Sequence, residues 1–175
     1  MRIVFFGSPD TAIPSLLKLE KAGHKLTLVV TQPDSFSGRG RKSTLSPVKK
    51  TAIDRQIPVY QPQRIRKDPE ALKIIQKAQP DIIIVVAYGQ IIPSSIIYTP
   101  PFNSWNLHFS LLPKYRGAAP VQWALLKGEK ITGVTVFELN ANMDEGDIIN
   151  SLEVPIHPLE KAYELESRLA SLGAD

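Results

Sequence analysis

Asp81-Ile-Ile-Ile-Val-Val-Ala87 places six apolar residues in a row behind a single carboxylate. A strand apolar on both faces must be covered on both. That pattern belongs to parallel strands flanked by helices, not to a sheet with one wet face. Outward from it, Arg2-Ile-Val-Phe-Phe-Gly7 is a second apolar run closed by turn residues, and Lys25 to Thr31 is a third, rich in β-branched residues. Thr11 to Ala22 has the spacing and charges of an amphipathic helix. Pro47 to Arg55 and Lys67 to Ala78 also read as helices, Val59-Tyr60 as a short strand, and 32 to 47 as a long irregular segment rich in Pro, Gly, Ser and basic residues. The order βαβαβαβ predicts an α/β fold with a Rossmann-like, open, mainly parallel, doubly wound sheet. Past Gly89, a short helix around Ile91 to Ile97 leads to a strand from Trp105 to Phe109, and Pro120 to Lys127 is helical. Thr132 to Leu139 and Asp147 to Val154 read as an antiparallel C-terminal pair, because only a loop separates them. A helix from Leu159 to Leu172 closes the chain.

With 175 residues, 43% of them hydrophobic, the chain is long enough for one well-buried core and short for two. One domain spanning 1–175 is expected. No run approaches the roughly 20 apolar residues of a membrane span, and Met1-Arg2 leads straight into a strand rather than a signal peptide. A cytoplasmic location with no membrane partner is expected. The absence of cysteine excludes disulfides, thiolate nucleophiles and cysteine-ligated zinc, and His24, His108 and His157 have no ligand spacing, so no metal is expected. The net charge of +4 is unevenly placed. Between Ser35 and Ile53 there is no acid, yet Arg39, Arg41, Lys42, Lys49 and Lys50 fall there with glycines at 38 and 40. That loop is suited to phosphates, against the plainer reading of a solubilising loop.

Ligands of such sheets collect beyond the carboxyl ends of the strands. The loops concerned are Gly7 to Thr11, Thr31 to Ser46, Tyr88 to Pro93 and Ser110 to Pro120, with the turn Asn142 to Asp147 nearby. Gly7-Ser-Pro-Asp10 is no Gly-x-Gly-x-x-Gly fingerprint, so nothing there supports a dinucleotide. Asn106 and His108 stand one apart on a strand and share a face from which both address a reacting carbonyl. A lone carboxylate follows in Met143-Asp144-Glu-Gly-Asp147. Acyl-group chemistry is the sharp reading. The bland one is a solvated polar pair and a turn aspartate.

The run Asn106-Leu-His108-Phe-Ser-Leu-Leu-Pro-Lys-Tyr-Arg-Gly-Ala-Ala-Pro-Val-Gln122, followed by Thr132-Gly-Val-Thr135 and Met143-Asp144-Glu-Gly-Asp147, resembles the 10-formyltetrahydrofolate-dependent formyltransferases. Within them it is most similar to those acting on methionyl-tRNA. Phe6-Gly7-Ser-Pro-Asp10, Thr31-Gln-Pro-Asp34, the Gly38-Arg-Gly40 loop with its Ser46-Pro-Val-Lys49 exit, and Val86-Ala-Tyr-Gly89 match as well.

The resemblance implies that the amino group of methionyl-initiator tRNA attacks the formyl carbon of 10-formyltetrahydrofolate, giving formyl-methionyl-tRNA for translation initiation. Asn106 would donate to the developing oxyanion and His108 would add a second hydrogen bond or positive charge. Asp144 would hold the imidazole protonated and assist proton transfer. The folate would lie along Val86, Ala87, Tyr88, Gly89 and Ile91 and against Ser110, Leu111, Leu112 and Pro113. Arg39, with Arg41 and Lys42, would meet the tRNA acceptor end. A monomer is implied, with the family's C-terminal β-barrel domain absent from this chain. The competing readings are a glycinamide ribonucleotide formyltransferase, disfavoured by Pro9 and Asp10 where a phosphate cradle would be, a sugar-nucleotide N-formyltransferase, and a folate- or RNA-binding fragment without turnover.

Overall fold

The computed structural model describes residues 1–37 and 42–175. Its elements are β1 (Arg2–Gly7), α1 (Ile13–Lys21), β2 (Lys25–Val30), β3 (Ser35–Ser37), β4 (Lys42–Thr44), α2 (Pro47–Asp54), β5 (Val59–Tyr60), α3 (Ala71–Lys77), β6 (Ile82–Val86), α4 (Ser94–Ile97), β7 (Ser104–His108), α5 (Pro120–Leu126), β8 (Ile131–Glu138), β9 (Ile148–Pro155) and α6 (Ala162–Leu172). Among the described residues, seven strands form one sheet in the order β5-β2-β1-β6-β7-β8-β9. The first five run parallel, β8 pairs antiparallel with β7, and β9 pairs antiparallel with β8. The chain winds outward to β5 on one side of β1 and outward through β6 on the other. The β1/β6 boundary is therefore the switch point at which such sheets open toward ligands.

Both faces of the central strands are buried, as the apolar runs require. Phe5, Val29, Val86 and Leu107 pack beneath α1, α2, α5 and α6 through Leu16, Val48, Val121, Leu165 and Leu169. Val4, Phe6, Leu28, Val30, Ile83 and Val85 pack on the opposite face beneath Ala71 and Ile75 of α3 and Ile96 and Ile97 of α4. Phe6 meets Tyr88 edge to face at 5.1 Å. Because Leu107 points into the first core, Asn106 and His108 point to the second face.

Three local expectations are corrected. The helix expected from Lys67 begins only at Ala71, after a single 3-10 turn at Ile65–Lys67. Pro69 excludes helical geometry from Asp68, which sits at φ −89°, ψ 110°. The last helix starts at Ala162 rather than Leu159, since Leu159 adopts φ +65°. Within the segment 32 to 47, β3 and β4 pair antiparallel, Ser35 with Thr44 and Ser37 with Lys42, where no strand was expected.

The β8–β9 loop doubles back along the sheet. His108 pairs with Thr135, three positions before the end of β8, yet Asp144 from the loop reaches it. Gly146 makes this return possible: a Cβ there would lie 1.6 Å from the Glu138 carbonyl oxygen. Gly146→Ala should therefore lower stability by about 1–3 kcal/mol. Urea unfolding should show this as a lower midpoint at unchanged m-value.

Candidate active site

His108 closes β7 and is 7% exposed. Its Nε2 donates to the Tyr115 carbonyl at 2.8 Å; a carbonyl only accepts, so the hydrogen resides on Nε2. Nδ1 faces Asp144 Oδ2 at 3.7 Å, an ion-pair distance beyond hydrogen-bonding range. The same Oδ2 accepts the Gly117 N–H at 2.7 Å. The turn after Pro113 thus holds the pair from both ends, ring through Tyr115 and carboxylate through Gly117. The side chain of Asn106, half-buried on the same face of β7, makes no hydrogen bond with any described residue, so its carboxamide is free for an incoming acceptor.

This clasp has an unusual backbone. Tyr115, Gly117, Ala119 and Asp144 all lie at positive φ, 56°, 82°, 57° and 51°, and the Leu112–Pro113 peptide is cis. A non-glycine residue in that region costs on the order of 1–3 kcal/mol and persists only where its surroundings over-determine it. The hydrogen bonds to His108 and Asp144 are part of that determination. Arg116 Nη1 adds a 2.9 Å contact to Glu145, but both side chains are exposed and such a pair contributes little.

Thr135 braces the turn from beneath. Fully buried opposite His108, it donates to the Ser110 carbonyl at 2.7 Å and accepts from the Leu112 N–H at 3.2 Å, while Ser110 Oγ donates to the Lys114 carbonyl at 2.6 Å. Sequence reasoning placed Thr135 only within a matching stretch and gave it no task. The Tyr115 carbonyl and Gly117 amide are backbone groups, invisible to side-chain patterns.

The other expected residues are scattered more widely. Val86 turns its side chain into the core on the face opposite Asn106 and His108. Ala87 and Gly89 are exposed at positive φ, and Ile91 is 60% exposed. Tyr88 is buried, its hydroxyl without a partner among the described residues and its pKa raised by burial, while its carbonyl accepts from Gln32 Nε2 at 2.9 Å and Ser8 Oγ at 3.3 Å. Leu111, Leu112 and Pro113 wall an open cleft of about 690 Å³ whose lining includes none of Asn106, His108 and Asp144. Ser110 is spent on the turn. Arg39 and Arg41 lie outside the described residues, and Lys42 begins β4.

The root of that basic loop is firmly tied. Lys49 Nζ donates to Asp34 Oδ2 at 2.6 Å, and Gln61 Nε2 donates to Asp34 Oδ1 at 2.9 Å and to the Gln32 carbonyl at 2.8 Å. The Lys49 hydrogen bond, aided by Gln61, holds the Asp34 carboxyl below its ordinary range. Among the described residues, no group of three or more His, Cys, Asp or Glu is placed to hold a metal, and no helix is long and apolar enough to cross a membrane.

The formyl transferase family model matches residues 1–175, the whole chain. The chain belongs to the formyl transferase family. It is 48% identical to a methionyl-tRNA formyltransferase from Koribacter versatilis and 46% to one from Acetivibrio thermocellus, each over 175 residues, 100% of this chain and 56% of the relative. The chain therefore spans little more than half the length of these curated relatives. Among solved structures, phosphoribosylglycinamide formyltransferase from Bacillus halodurans matches with TM-score 0.82 at 22% identity, covering 99% of this chain and 90% of that one. Glycinamide ribonucleotide transformylase 1 from Geobacillus kaustophilus matches with TM-score 0.80 at 25% identity over 99% and 92%. These likenesses fix the Rossmann-like fold.

Two outcomes are expected of these contacts. Thr135→Val keeps the shape but strands the Ser110 carbonyl and the Leu112 amide, and should cost about 1–3 kcal/mol in thermal or urea unfolding. Because folding depresses the Asp34 pKa below 3.8, the pair's contribution is fully present above that value and is lost as pH falls through the depressed one. Asp34→Asn should remove this segment of the acid-unfolding curve, as followed by circular dichroism.

Proposed function

We propose that this chain carries out formyl transfer from 10-formyltetrahydrofolate to the amino group of methionyl-initiator tRNA, with residues 1–175 as the catalytic unit. The observation that carries this reading is the His108–Asp144 pair, gripped by one turn, beside the unpaired carboxamide of Asn106. The amine nitrogen bonds to the formyl carbon and the carbonyl oxygen becomes an oxyanion. The C–N10 bond then breaks, and the proton released by the amine ends on the departing folate nitrogen. Asn106 donates to the oxyanion. His108, whose ring the Tyr115 carbonyl keeps in place, shares its Nε2–H with the same oxygen or lends it positive charge. Asp144 anchors the ring and relays the proton, directly or through water.

The folate ring would lie along the exposed backbone of Ala87 and Gly89 and beside Ile91. Arg39, Arg41 and Lys42 would neutralise phosphates at the tRNA acceptor end, as a monomeric enzyme of the cytoplasm would use them in translation initiation. The identities of 46% and 48% to methionyl-tRNA formyltransferases support this substrate. A glycinamide ribonucleotide substrate fits less well. In the turn after β1, Asp10 Oδ1 accepts the Thr11 N–H at 2.9 Å, so a carboxylate already occupies one amide that a ribose phosphate would need.

Incubation with 10-formyltetrahydrofolate and either methionyl-tRNA or glycinamide ribonucleotide tests the choice. Formyl-methionyl-tRNA should form and the ribonucleotide should stay unformylated; the reverse would overturn the substrate. Asn106→Ala should slow transfer by about 10²–10³-fold without changing the circular dichroism spectrum. Arg39→Ala should weaken tRNA binding and flatten its dependence on salt.

A further inference from the structure

Outside the site, Glu129 makes a contact that leads back into it. Its Oε1 accepts from the Tyr115 hydroxyl at 2.7 Å and from Lys114 Nζ at 3.3 Å. The Tyr115 hydroxyl, with Lys114 behind it, holds the Glu129 carboxyl below its ordinary range, so it is a carboxylate at neutral pH. Glu129 itself is fixed by the end of α5: its N–H donates to the Ala124 carbonyl at 3.0 Å, and the preceding Gly128 turns the chain at φ +69°. Tyr115, at φ +56°, is disfavoured by its own backbone, and Glu129 holds the side chain of the residue whose carbonyl faces His108 Nε2.

We infer that Glu129 is a positioning residue for formyl transfer, acting through the Tyr115 hydroxyl to aim the Tyr115 carbonyl and so fix His108. The relay runs from the end of α5 through Glu129, Tyr115 and His108 to Asp144, and the Gly117 amide returns it to the same turn. Glu129 touches no reacting atom. Its effect is on the orientation of the imidazole, where a misplacement of about 1 Å can cost on the order of 100-fold in rate. The inference rests on the formyl-transfer reading for its kinetic part alone.

The test compares the 175-residue chain with Tyr115→Phe, Glu129→Ala, Glu129→Gln and the Tyr115→Phe/Glu129→Ala double variant. Nitrogen-15 NMR follows the His108 ring, and steady-state formyl transfer to methionyl-tRNA gives kcat and KM. Tyr115→Phe and Glu129→Ala should each speed exchange of the His108 Nε2–H and lower kcat by about tenfold or more, with KM for the formyl donor nearly constant. The double variant should be no worse than the more damaging single one, since both break one contact. Glu129→Gln, which keeps an oxygen acceptor for the tyrosine, should recover much of the loss. An unaltered His108 N–H in both single variants overturns the inference, whatever happens to kcat; so does additive loss in the double variant. Should the unmodified chain transfer no formyl group, the functional reading fails, and the NMR comparison still decides whether Glu129 aims the ring.

Discussion

Two neighbouring strands that are apolar on both faces, β1 and β6, constrain everything else in this molecule. Neither can sit at an edge or face water, so helices must cover both sides and further strands must be added outward in both directions. That requirement creates the switch point and puts the loops after β1, β6 and β7 at one end of the sheet. It also leaves β7 next to a buried strand with its alternate residues free to be polar. Asn106 and His108 occupy those alternate positions; Leu107 between them is core.

The site is built differently from the core. Hydrophobic burial fixes β7, but the imidazole and carboxylate are held by backbone polar groups of one short turn, itself supported by the buried hydroxyl of Thr135. Side-chain hydrogen bonds to main-chain groups set direction as well as distance, which burial does not. Asn106 is spared such commitments. Of the three candidate groups, one side chain is free among the described residues and two are restrained.

Period-two alternation made the shared face of Asn106 and His108 legible in the sequence, and continuous apolar runs made the parallel sheet legible. Pro69 also carried the start of α3, through its effect on Asp68, although the helical spacing around it drew the boundary too early. What did not show was set by tertiary contact. Non-glycine residues at positive φ, such as Tyr115 and Asp144, leave no local signature because their conformation is imposed from outside. The side-chain directions of Val86 and Leu111 depend on which face each strand or turn offers, and the matching motifs could not supply that.

Because Tyr115 and Gly117, two positions apart, hold the two members of one pair, the span between them acts as a caliper of fixed opening. Adding or deleting a single residue there would release one jaw or the other. Drift in the lengths of surface loops, ordinarily the most tolerated kind of evolutionary change, is closed to this segment. Diversity of substrate among proteins sharing this fold would have to arise in the loops that do not carry the caliper.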